Sequence, residues 1–143
     1  MKKNVCSLGG KYVLDSFAVL AFLQNESSAP VVREVLEYGA SNDGALYLSV
    51  VNLSECLYIV ERRRGAETAR RVLEAIQECP ILIEAATDRH AVIAARIKAQ
   101  HRVSLAAAYA VALALEKTAT VVTGDPEFKE VEKKISILWI PRS

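Results

Sequence analysis

The chain has 143 residues, 52% of them hydrophobic and 24% charged, with a net charge of +1. That composition suits one globular domain with a single core and excludes a disordered chain. A charge this close to neutral gives no global pull towards nucleic acid, so any such contact must come from a local patch.

Residues 1–10 show no periodicity and end in Gly9-Gly10, so they read as a flexible leader to one domain over residues 11–143. Gly9, Gly10, Lys11 and Asp15 break any secretory h-region, and no apolar run nears the roughly 20 residues of a membrane span. Cys6, Cys56 and Cys79 are odd in number and far apart, giving neither a disulfide framework nor a metal-ligand pair. A reducing, cytoplasmic setting is the expectation.

Lys11 to Leu14 reads as a short strand, followed by helical spacing in Phe17, Leu20, Ala21 and Leu23, with Asp15 or Ser16 as the cap. Ala29 to Tyr38 is a helix with Pro30 in its first turn and Gly39 as a stop signal. Ala45 to Leu48 is a second strand. Ser49 caps a helix to Arg64, and Gly65 ends it. On that helix Leu53, Leu57 and Val60 form an apolar stripe read as the core face, while Glu55 lies off it among Val51, Tyr58 and Ile59.

An amphipathic helix over residues 66–78 turns Ala69, Val72, Leu73 and Ile76 inward, and Ile81 to Ile83 is a third strand. Thr87 or Asp88 caps a helix to Gln100; His90 and His101 match no metal or triad spacing and read as surface residues. Ser104 opens a helix through Leu115, apolar on all sides and therefore central. Ala119 to Val122 is the fourth strand, and Pro126 starts a short helix carrying Phe128 and Val131. Ile135 to Ile140 closes the chain as a fifth strand. Alternating strands and helices predict an α/β fold with a mainly parallel central sheet covered on both faces.

Asp15 and Asp125 each follow a strand, where open α/β sheets place their ligands. Either residue alone is explained by helix capping. Carboxylates gathered on one rim repel one another unless a proton or cation intervenes, and hard oxygen ligands suit Mg²⁺ or Mn²⁺. Metal-assisted phosphodiester hydrolysis is the chemistry this pattern fits. No Ser/His/Asp or Cys/His set and no glycine-rich phosphate loop competes with it.

Four motifs carry a family resemblance: Leu14-Asp15-Ser16, Ser49-Val-Val-Asn52-Leu-Ser-Glu55, Ser104-Leu-Ala-Ala-Ala-Tyr109 and Val122-Thr-Gly-Asp125-Pro-Glu-Phe128. In this order they resemble a PIN domain, and more narrowly the VapC-type toxins of prokaryotic toxin–antitoxin pairs. The resemblance covers nearly the whole chain from Lys11. It implies a three-layer α/β/α sandwich and Mg²⁺- or Mn²⁺-dependent ribonuclease activity on an RNA substrate. It further implies a homodimer and a small antitoxin protein whose tail occupies the active groove. Carried over by position, Asp15, Glu55 and Asp125 match acidic metal-site residues with catalytic roles. Thr123 matches a hydroxyl beside them, and Ser16 and Asn52 match polar neighbours. Position 107 departs from the pattern: the family usually has aspartate there, and this chain has Ala107. The alanine marks either a degenerate member or a deliberate inactivation, and it lowers the expected metal affinity and activity.

A second reading is a PIN-like module that holds RNA or protein without cutting. It draws on Arg62, Arg63 and Arg64 as an RNA-binding patch, extended by Arg70 and Arg71 or by Lys98 and Arg102. A third, an α/β phosphatase or nucleotide-binding domain, lacks the glycine-rich loop it needs after the first strand.

Overall fold

A computed structural model of the chain describes residues 8–141. Residues 1–7 of the expected leader, Cys6 among them, lie outside the described residues. The end of that segment is tied to the domain. Leu8 packs on the core, the Gly9 amide donates to Tyr12 Oη at 3.0 Å, and Tyr38 Oη donates to the Gly10 carbonyl at 2.7 Å.

The strands are β1 (Tyr12–Leu14), β2 (Leu46–Ser49), β3 (Leu82–Glu84), β4 (Thr120–Thr123) and β5 (Ile137–Trp139). The helices are α1 (Ser16–Leu23), α2 (Ala29–Ser41), α3 (Val50–Arg64), α4 (Ala66–Glu78), α5 (Asp88–Gln100) and α6 (Leu105–Lys117). A 3-10 helix, Pro126–Val131, links β4 to β5. The five strands form one sheet in the order β3-β2-β1-β4-β5, every neighbouring pair parallel.

Side chains alternate between two faces along each strand. Tyr12, Leu14, Leu46, Leu48 and Val122 enter one core with residues of α1 to α4; Val13, Tyr47 and Val121 enter the other with α5 and α6. Both faces are covered, which is why β1 and β2 are buried at every position. Burying each Leu or Val of this kind is worth about 1.5–3 kcal/mol. The alanines of α6 from Ala107 to Ala114 are all buried, so the helix lies against its neighbours as an apolar surround requires.

The structure corrects the sequence reading in three places. Helix α2 does not stop at Gly39 but runs to Ser41. Gly39 is a packing residue: a Cβ there would stand 2.3 Å from Leu46 Cδ1. On α3 the buried residues are Asn52, Cys56 and Val60; of the expected stripe Val60 is core and Leu53 packs at its edge, while Leu57 lines an open groove with Val50 and Tyr58. The helix turns towards the sheet the face that carries Asn52. His90 is not a surface residue. It is 4% exposed, and its Nδ1 accepts from the Thr87 amide within a capping box while Nε2 lies 3.0 Å from Glu116 Oε2. His101 is half-buried.

Candidate functional site

From β1 the chain moves outward to β2 and β3, and from β4 it moves the opposite way to β5. The β1–β4 junction is therefore the point where strand order reverses, and a crevice opens there beyond the carboxyl ends. Asp15 leaves β1 and Asp125 leaves β4. Register pairs Leu14 with Val122, and the Asp15 amide donates to the Val122 carbonyl at 3.3 Å, which brings the two acids onto one rim. Helix α3, capped by Ser49 at the end of β2, delivers Asn52 and Glu55 from the side.

The resulting cleft of about 120 Å³ is lined by Asp15, Ser16, Asn52, Glu55, Ser104, Ala107, Asp125, Glu127 and Phe128. Asp15 is 3% exposed. Its Oδ1 caps α1 by accepting from the Ala18 amide at 2.9 Å, and its Oδ2 accepts from Thr123 Oγ1 at 2.5 Å. One carboxylate thus both caps α1 and lines the cleft. Burial pushes the Asp15 pKa up, the hydrogen bonds from Thr123 and Ala18 pull it back, and the charges of Asp125 and Glu55 raise it again; it settles at about 7. Thr123 also accepts the Asp125 amide at 3.0 Å, so one hydroxyl orders both strand-end acids. Ser16 donates its hydroxyl to Glu55. Gly124 lets the β4 turn approach: a Cβ there would meet Phe17 at 2.5 Å and the Ile140 carbonyl at 2.9 Å.

Asn52 is 1% exposed, donates Nδ2 to the Ala106 carbonyl at 3.2 Å, and has no partner for Oδ1. Among the described residues no three His, Cys, Asp or Glu side chains are drawn together as a finished metal cage. The acids are spread around the cleft instead, held by Thr123, Ser16 and Ser104. Hard oxygen donors and an orphaned buried amide oxygen are still the donor set that Mg²⁺ or Mn²⁺ takes. Cys56, beside the acids, is no nucleophile: burial and the charges of Asp15 and Glu55 push its thiol up to about 12.

Ala107 stands where the motif places it, buried in the cleft wall. The arginines separate. Arg63 lines a groove of about 310 Å³ that shares Ser16, Glu55 and Asp125 with the acid cleft. Arg62 lies over the Tyr58 ring at 5.0 Å and lines a groove of about 590 Å³ on the outer face of α3, which shares no residue with the acid cleft. Arg64 is exposed at the helix end. Arg70 is held by Glu67 and Glu74, Arg71 comes within 3.7 Å of Glu67, and Lys98 donates to the Val103 carbonyl. Sequence reasoning missed Glu127 and Ser104. The Glu127 carboxylate accepts from the Ser104 amide at 2.6 Å and from its hydroxyl at 3.2 Å.

The sequence model of the PIN domain matches residues 12–134. The chain belongs to the PIN domain family. No curated protein matches it in sequence. Among solved structures, VapBC of Salmonella typhimurium, bound to DNA, is 19% identical with a TM-score of 0.70, covering 90% of this chain and 97% of that one. VapBC2 of Rickettsia felis is 18% identical with a TM-score of 0.71, covering 91% and 98%. VapC20 of Mycobacterium tuberculosis, a toxin that cleaves the sarcin–ricin loop, is 14% identical with a TM-score of 0.70, covering 92% and 100%. At these identities the likeness establishes the PIN fold, a five-stranded parallel sheet between helical layers. No helix among the described residues is long and apolar enough to cross a membrane.

Proposed function

We propose that this PIN domain is built as a divalent-metal-dependent endoribonuclease, the toxin of a toxin–antitoxin pair. The observation that carries the reading is the convergence of Asp15, Glu55 and Asp125 on one cleft at the reversal of strand order. Asp15, Glu55 and Asp125 would hold Mg²⁺ or Mn²⁺. When bound, the cation supplies Lewis-acid stabilisation of the phosphoryl oxygens and a water of lowered pKa. The protein's own part is to fix the acids. Thr123 orients Asp15 and the Asp125 backbone, Ser16 orients Glu55, and Asn52 places an acceptor in the wall. Arg63 would hold a flanking phosphate of the RNA in the adjoining groove.

VapBC complexes and a toxin–antitoxin complex from Klebsiella pneumoniae are among the structural neighbours, which supports a small antitoxin as partner here. A homodimer and a cytoplasmic location complete the proposal. The exposed Val50, Tyr58 and Leu105 give a second copy apolar surface to cover, and sedimentation at micromolar concentration would show a single monomer species if that expectation is wrong.

A second reading, an RNA- or protein-binding module that does not cut, is favoured by Ala107, which removes a carboxylate from the cleft wall. RNA cleavage by this chain and by Ala107→Asp, with MnCl₂ or EDTA, separates the two. The nuclease reading expects metal-dependent cleavage that rises sharply in Ala107→Asp. RNA binding without cleavage in both proteins would establish the module instead.

A further inference from the structure

We propose that the trench between α1 and α3 seats one unstacked nucleobase of the RNA, beside the phosphate held at the acids, and selects a base that carries an exocyclic amino group. This rests on the nuclease reading of the cleft and adds the part of the substrate that the acids themselves cannot recognise.

The trench is built from one stripe of each helix. On α1, Ala18, Val19 and Ala21 are buried, which leaves Phe17, Leu20 and Gln24, at i, i+3 and i+7, half-buried along the next face. On α3, Glu55, Ile59 and Arg63 stand one turn apart, beside the buried Asn52–Cys56–Val60 face. The two stripes line one groove of about 310 Å³, which opens into the acid cleft through Ser16, Glu55 and Asp125.

The chemistry changes along the trench in the order a nucleotide chain requires. Carboxylates stand at the cleft end, and Phe17, Leu20 and Ile59 give it apolar walls. Arg63 stands two turns beyond Glu55, about 12 Å along α3. It makes no ion pair among the described residues, whereas Glu67 engages both Arg70 and Arg71. One phosphate at the acids and another at Arg63 leave an apolar stretch between them, and the face of a base is the surface that fits it. Phe17 is a fixed platform for that face. The turn after β4 presses on its ring, since a Cβ at Gly124 would stand 2.5 Å from Cε1 and 2.9 Å from Cζ. A ring held before binding loses little freedom when a base stacks on it.

The edge of the base meets Gln24 and Glu26, which line the same groove. Gln24 closes α1, with its backbone N–H donating to the Leu20 carbonyl at 2.9 Å, so its amide leaves from a fixed point. Glu26 would repel a phosphate, which marks its end of the trench for a base rather than for backbone. An amide pairs with adenine, and a carboxylate accepts from the amino group of cytosine. Uracil presents carbonyl oxygens instead, so adenine or cytosine is favoured over it.

The test is the fluorescence anisotropy of short labelled single-stranded RNAs on the full chain in MnCl₂, with each base in turn replaced by an abasic site. One position should lose about tenfold in affinity, and uracil there should bind more weakly than adenine or cytosine. Phe17→Ala and Ile59→Ala should each weaken the intact RNA and flatten the scan at that position, while Gln24→Ala should narrow the preference for adenine over uracil. Ile59 lies off the core face of α3, so its variant tests the trench independently of any folding cost at Phe17, which unfolding temperatures would show. A flat scan on RNA whose binding still depends on Mn²⁺ and Arg63 would overturn the base seat and leave the nuclease reading standing. A flat scan together with binding of a leucine- and arginine-bearing peptide that Ile59→Ala abolishes would assign the trench to a protein and overturn it equally. Absence of RNA binding and cleavage in both the parent and Ala107→Asp would remove both readings.

Discussion

Thr123 Oγ1 lies 2.5 Å from Asp15 Oδ2, across the β1–β4 junction, while accepting the Asp125 amide at 3.0 Å. Both groups belong to residues with almost no exposure. Among the described residues, this hydroxyl is the group that bridges the two strand-end acids. Thr123→Val keeps the shape and strands a buried carboxylate and a backbone N–H. It should cost about 1–3 kcal/mol, read as a lowered unfolding temperature, with Thr123→Ser recovering most of the loss. Equal stability of the valine variant would show that the network is not structural.

Asp15 gives the metal-free protein a pH dependence of definite sign. Folding raises its pKa from 3.8 to about 7, so between those values the native state holds a proton that the unfolded chain has released. Stability therefore falls as pH rises through that window, by on the order of 4 kcal/mol when complete. Glu127, also raised by burial first, adds in the same direction. In EDTA the parent should melt lower at pH 8 than at pH 5. Asp15→Asn, whose Oδ1 still accepts from the Ala18 amide and whose Nδ2 can donate to Thr123 Oγ1, should show much less of this decline and be the more stable protein at pH 8. Equal declines in the two proteins would remove Asp15 as the cause.

Arg63 and Arg62 sit side by side in the sequence, yet only Arg63 lines the groove that opens into the acids. Arg63→Ala should weaken binding of a short RNA across all sequences and flatten the slope of log affinity against log salt by about one. Arg62→Ala, whose guanidinium rests on Tyr58, should change the affinity little. The reverse ranking would move the RNA path to the outer face of α3.

The parts of this fold legible in the sequence were those set by local chemistry. Ser49 and Gly65 bound α3 as a cap and stop should, and strand–helix alternation implied the parallel sheet. Asp15 and Asp125 could be placed on one rim because parallel strands carry their carboxyl ends to one edge. What could not be read were contacts made across the fold. Gly39 looked like a stop, but its lack of a side chain serves the close approach of Leu46. Leu57 looked like core because its spacing is helical, yet the sheet lies on the Asn52–Cys56–Val60 face, with Leu53 packed at its margin. His90 matched no ligand spacing and was buried as a cap partner. Glu127 stood inside a quoted motif, and nothing local marked it, because its partner Ser104 is brought to it only by the packing of α6.

The central claim is that the cleft between Asp15 and Asp125 is a metal-dependent nuclease site from which position 107 is missing an acid. Its most direct test is cleavage of a structured RNA by Ala107→Asp and by Ala107→Asp combined with Asp125→Asn, each with MnCl₂ and with EDTA. Cleavage should appear in Ala107→Asp with Mn²⁺, well above the parent, and vanish with EDTA or with Asp125→Asn. Cleavage that is absent in Ala107→Asp, or that survives both EDTA and the loss of Asp125, would contradict the account.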